Sequence, residues 1–172
     1  MRQNRIGLHI LGVLTASLLL GAPALAQSQQ DQTFIKTAME VNIAEIQIGQ
    51  LASNQGATEE VKKFGQRLVI DHTRLEDELV PIAAKIGLTP PKELAPDDQA
   101  LLTKLQGQSG AEFDDTFVHA MVKGHHQAIQ LYKTEETSGQ DPTVKNAARH
   151  GEPVIAEHLK IAEHLQSSMG KS

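Results

Sequence analysis

Between residue 31 and about residue 168, apolar positions recur at helical spacing and almost nowhere alternate in twos. A first stripe holds Phe34, Ala38, Val41, Ile48 and Ala52. A second holds Val61, Phe64, Leu68, Leu75, Leu79, Ile82 and Ile86. Phe117, Val118, Met121, Ala128, Leu131 and Tyr132 form a third. The fourth runs through Val144, Ala147, Ala148, Gly151, Val154, Ile155, Leu159, Ala162 and Leu165. Each stripe occupies one side of a helix, so the chain predicts four long amphipathic helices.

Local punctuation gives their ends. The first helix is expected over 31–53, stopped by "SNQGA". The second starts behind Thr58, an N-cap ahead of Glu59 and Glu60, and runs to Ile86 before Gly87 and "TPP". A short helix is expected over 96–105. "SGAE", from Ser109 to Glu112, is a capping box for a helix over 110–138. Asp141 and Pro142 open the last helix, which runs to about residue 168. Pro81 and Pro153 lie inside these patterns and are expected to kink them. The whole predicts an all-α fold, an antiparallel four-helix bundle with a short extra helix between the second and third long helices. Residues 27–30, "QSQQ", are expected to be flexible, and the sole repeat noted is the IAEHL doublet in "IAEHLKIAEHL".

The 172-residue chain is long enough for one domain with a real core, assigned to 31–168. Its first 26 residues read as a secretory signal peptide: basic "MRQNR", apolar "IGLHILGVLTASLLLGA", then "ALA" before Gln27. The expected location is therefore the periplasm, with outer-membrane association as a variant of it. The apolar run is shorter than a membrane span, and no other span is expected. Without the leader, 14 basic side chains face 21 acidic ones, a net charge near −7, which argues against a nucleic-acid partner. The absence of Cys removes disulfides, thiolate nucleophiles and Cys-based zinc sites.

Unrolling the four helices places one ionisable residue near the middle of each inner face: Glu45, His72, His125 and His158. Midpoints of antiparallel helices share a layer, so these four are expected to converge in the core. Buried ionisable groups come paired or metal-bound. Three imidazoles and a carboxylate suit Zn, Cu, Fe or Mn, and the four residues are the candidate ligands. The competing reading is a buried Glu–His hydrogen-bond network that holds helix register. Glu76, one turn after His72, is an auxiliary ligand or an acceptor behind the ligands; Asp71 is a candidate to orient a ring N–H. Met121 reads as core, with a soft copper ligand as the alternative, and Asp114 as a partner for a helix end. His119, His126, His150 and His164 are expected in solvent. The IAEHL doublet thus splits: His158 points inward and His164, six residues on, points away.

Four segments together resemble a bacterial family catalogued as domain of unknown function 4142: "FIKTAMEVNIAEIQIGQLA", "VKKFGQRLVIDHTRLEDEL", "SGAEFDDTFVHAMVKGHHQAI" and "EPVIAEHL". They span about residues 31–166. The resemblance implies an exported protein with a ferritin-like helical bundle, and some members are described as outer-membrane proteins. Its motif positions fall on Glu45, Asp71, His72, Phe113, Asp114, His125, Pro153 and His158. It implies no established activity. Di-iron carboxylate bundles carry Glu-x-x-His on two helices, and no Glu here has His three residues later. A site for zinc or copper fits the donors better. The leading expectation is metal handling or envelope stress protection. Against it stand a non-enzymatic envelope interaction module and a metal-dependent oxidoreductase; no nucleophile or phosphate-loop motif is present.

Overall fold

The computed structural model describes residues 28–169; the expected leader, its expected cleavage site and Gln27 lie outside the described residues. Five helices follow one another: α1 (Gln29–Gln55), α2 (Glu59–Lys85), α3 (Pro96–Gln106), α4 (Gly110–Ser138) and α5 (Pro142–Met169). The fold is all-α, and the four long helices form the bundle.

Side-chain caps open three of the five helices, at Ser28, Thr58 and Asp141. Thr58 Oγ1 accepts from Val61 N at 3.4 Å at the start of α2, and Asp141 Oδ1 accepts from Thr143 N at 2.7 Å at the start of α5. Residues 28–30 form the cap and first turn of α1: Ser28 Oγ accepts from Asp31 N at 3.1 Å and Gln30 Nε2 donates to Glu135 Oε2 at 3.1 Å. One expectation changes. The capping box at Ser109 does not form; Glu112 instead accepts from Gln108 Nε2 at 2.8 Å, and Gly110 turns into α4 with φ of 62°. α2 and α5 continue through Pro81 and Pro153, both of which face solvent.

Two buried carboxylates fix the topology. Asp114, near the start of α4, accepts from Ala57 N at 2.8 Å, Thr58 N at 3.0 Å and Thr58 Oγ1 at 2.9 Å, closing the α1–α2 turn. Asp31, near the start of α1, accepts from Gln140 N at 2.9 Å and Asp141 N at 3.3 Å, closing the α4–α5 turn. α1 therefore runs antiparallel to α4, and α2 parallel to it. The chain leaving α2 must travel back along the bundle to begin α4, and α3 lies on that return, against α1 and α4. α1–α2 and α4–α5 are the two tightly packed pairs. At the α1–α2 crossing the backbones nearly touch: a Cβ on Gly65 would stand 2.6 Å from Gly49 O.

The aliphatic core divides into two clusters. One gathers Phe34, Ile35, Leu79, Tyr132 and Val144 at one end; the other gathers Phe64, Leu68, Phe113, Phe117 and Leu105 at the other. Between them lies a belt of buried polar residues: Asn42, Glu45, Asp71, His72, His125 and His158. No helix among the described residues is long and apolar enough to cross a membrane.

Candidate metal centre

α2, α4 and α5 each deliver one histidine to the belt, because each ring sits at mid-helix on the inward stripe. His72 and His158 are wholly buried and His125 is 1% exposed. One donor nitrogen from each lies within 4.8 Å of the other two. Two donors bound at about 2 Å to one ion stand at most about 4 Å apart, so the cluster lies close to the spacing that a shared ion needs and closes on one with small ring shifts. Phe64 closes one side, its ring centroid 6.1 Å from that of His158 and 6.5 Å from that of His125.

Each ring is oriented by an acceptor outside the chamber. His125 Nδ1 stands 2.9 Å from Met121 O, a carbonyl that can only accept. His158 Nε2 stands 3.0 Å from Asp71 Oδ2. His72 Nδ1 stands 3.0 Å from Asn42 Oδ1, while Asn42 Nδ2 donates to Glu76 Oε2 at 3.2 Å. The outer nitrogen of each ring thus carries the proton. In the neutral rings the inner nitrogens, His72 Nε2, His125 Nε2 and His158 Nδ1, are bare lone pairs.

The rings are held neutral. Burial, then the neighbouring His158 and His125, pushes His72 well below the usual histidine range. Burial and His158 lower His125 to about 4. Burial also lowers His158, against the opposing pull of Asp71. Burial works against the charge on Asp71 itself, but bonds from Arg67 and His158 outweigh it and hold its carboxyl below the usual range. Two lone pairs facing each other need a proton or a metal ion between them. His125 Nε2 and His158 Nδ1 are 3.4 Å apart. Two imidazoles bound at 2.0–2.1 Å to one tetrahedral ion would stand about 3.3–3.4 Å apart. His72 Nε2 has no hydrogen-bond partner.

Glu45 occupies a different place. It is buried in the same belt but is not one of the three residues whose donors cluster. Its carboxyl lines a cavity of about 460 Å³ bounded by α1, α3 and α4, whose wall also includes His72 and His125. Its Oε2 has no hydrogen-bond partner, and burial, with the charge of Asp98, raises its pKa to about 8. Glu76 bonds Asn42 and so stands two links behind the chamber. Asp71 orients His158 rather than the adjacent His72. Met121 contributes its carbonyl to His125, and its side chain is core. His119, His126, His150 and His164 are exposed. Asn42 and Arg67 escaped the sequence reading; Asn42 stands one turn before Glu45, an amide on an otherwise apolar stretch of α1.

A crystal structure of a DUF305 fragment from Deinococcus radiodurans matches this fold with a TM-score of 0.71 at 11% identity, covering 85% of this chain and 99% of that one. No curated protein matches the chain. A family model described as domain of unknown function (DUF4142) matches residues 18–165. Carrying that family's pattern over most of its length on an all-α bundle, the chain belongs to the DUF4142 family.

Proposed function

We propose that this protein is an exported, periplasmic metal-binding bundle that holds one transition-metal ion between His72, His125 and His158. The observation that carries the reading is the set of three inward nitrogens, each left bare because its ring's other nitrogen donates to Met121 O, Asp71 or Asn42. Three neutral imidazoles suit zinc or copper ahead of iron or manganese. A three-residue donor set leaves a fourth position for water or a further ligand. Metal handling or envelope stress protection is the role that such a buried, reversible site would serve.

The test is metal analysis of the mature protein purified from the periplasm, with thermal unfolding under added Zn, Cu, Fe or Mn. One equivalent of metal and a raised Tm support the reading. No stoichiometric metal and an unchanged Tm would sink it. N-terminal sequencing of the same material tests export, with Gln27 as the expected first residue.

The His125–His158 contact supports one alternative. If His158 carries a second proton, its Nδ1–H donates to His125 Nε2 at 3.4 Å, and the belt is a hydrogen-bond network that holds register. Under that reading the three histidines give no metal-dependent stabilisation.

A further inference from the structure

We propose that the cavity between α1, α3 and α4 is the loading port of the histidine chamber, a carboxylate relay that takes divalent cations from Asp97 and Asp98 through Glu45. This rests on the histidine site proposed above.

Three carboxylates mark a path from solvent to core along the cavity wall. Asp97 is exposed, Asp98 is half-buried and Glu45 is 93% removed from solvent, the last with an Oε2 that meets no hydrogen-bond donor. Asp98 acts on Glu45 through its charge, so the inner two carboxylates sense each other. Past Glu45 the same wall reaches His72 and His125. Gly124 of α4 faces the Glu45 carboxyl across this cavity, and a Cβ there would lie 3.9 Å from Glu45 Oε1, ordinary contact distance.

The rest of the lining is largely apolar, with Ala44, Ile48, Leu101 and Ala128 among it. Low-dielectric walls focus the field of the acidic groups, which raises local cation concentration and capture rate. Glu40 adds a negative charge near Asp98, and exposed Lys123 is the opposing charge on the wall. At neutral pH Glu45 holds its proton, so an entering cation displaces that proton to solvent and the carboxylate left behind is an oxygen donor that can pass the ion on to the imidazoles. The chamber is sealed elsewhere by Phe64 and by the Arg67–Asp71 pair.

Stopped-flow uptake of Co²⁺ by the full mature chain, followed by its visible absorption, tests the relay. The set is wild type, Glu45→Gln, and Asp97→Asn with Asp98→Asn. Circular dichroism establishes that each is folded; the Asp pair lies on a short surface helix and Glu45→Gln is isosteric. The double variant is expected to slow uptake about tenfold at low salt, an effect that fades as salt rises. Glu45→Gln is expected to slow uptake and release alike, leaving Kd within about twofold, since a relay lowers a barrier without holding the final state. Unchanged rates in both variants overturn the port. A weakened Kd with unchanged uptake in Glu45→Gln also overturns it, and makes Glu45 a ligand of the bound state. Failure of wild type to take up Co²⁺, Zn²⁺ or Cu²⁺ overturns the histidine site itself.

Discussion

The Asp71 carboxylate on α2 fixes the ring of His158 on α5: Oδ2 accepts from Nε2 at 3.0 Å, and the pair is almost wholly buried. Arg67 binds the same carboxylate from one turn earlier on α2, and so keeps it charged. An acceptor behind a metal-ligating histidine sets the tautomer and raises the basicity of the free nitrogen. Asp71→Asn should therefore weaken metal binding about 10–100-fold while leaving the ligands in place. Titration against a competing chelator measures this. An affinity within twofold of wild type would show that Asp71 serves packing alone.

The two IAEHL copies provide an internal control. His158→Leu should abolish metal-dependent stabilisation, whereas His164→Leu, at an exposed position, should leave it unchanged. In metal-free protein, His158→Leu should itself cost about 1–3 kcal/mol, because it takes a donor from the buried Asp71 carboxylate. Paired thermal melts with and without metal separate these effects. Equal melts for both variants, with metal present, would count against the histidine chamber.

Glu45 gives the metal-free protein an alkaline liability. Its folded pKa of about 8 exceeds the ordinary value of 4.5, so the folded state binds the proton more tightly than the unfolded chain. The stabilisation is complete below pH 4.5 and is lost progressively as pH rises through about 8. Glu45→Gln removes this slope. Relative to wild type, the variant should gain stability between those limits and level off above them. Denaturant melts across that range check the sign; a flat difference would mean that Glu45 is solvated. The histidines act oppositely, since their folded pKa values are lowered: their contribution is lost as pH falls from 6.5, for His125 down to about 4.

Two glycines are places where helices meet without room for a methyl. A Cβ on Gly65 would stand 2.6 Å from Gly49 O and 2.7 Å from Ser53 N, both backbone atoms. A Cβ on Gly151 would stand 2.3 Å from the Tyr132 ring, itself packed edge-on against Phe34. Gly65→Ala and Gly151→Ala should each destabilise by about 1–3 kcal/mol, despite the better helix propensity of Ala. Gly124→Ala, whose Cβ has 3.9 Å of clearance, should instead be neutral or gain up to about 1 kcal/mol. Denaturant midpoints rank the three; destabilisation by Gly124→Ala equal to the other two would contradict the packing described.

Helical phase was enough to find His72, His125 and His158, since each lies mid-helix on its stripe and the bundle does the rest. The same reasoning put Glu45 in the belt, but phase gives a height and a side, not a partner. Glu45 turned towards α3, whose position depends on the long return from α2 to α4. Asp71 lies beside His72 in sequence yet bonds a histidine on another helix, a relation set by how α2 meets α5. Asn42 reads as an ordinary polar residue until its neighbour across the bundle is known. The bonds of Gln30 to Glu135 and of Gln140 to Asp31 left no local mark, because each joins α1 to a distant part of the sequence.

Asp31 and Asp114 perform the same task on opposite turns, and at one constant spacing Phe34, Gly56 and Val61 recur as Phe117, Gly139 and Val144. The bundle is thus two helical hairpins, α1–α2 and α4–α5, whose turns are closed alike. At that same spacing Asn42 meets His125, His72 meets Ile155 and Leu75 meets His158. The two hairpins close their turns in the same way but differ at the belt, so the three histidines lie where the two hairpins are unlike.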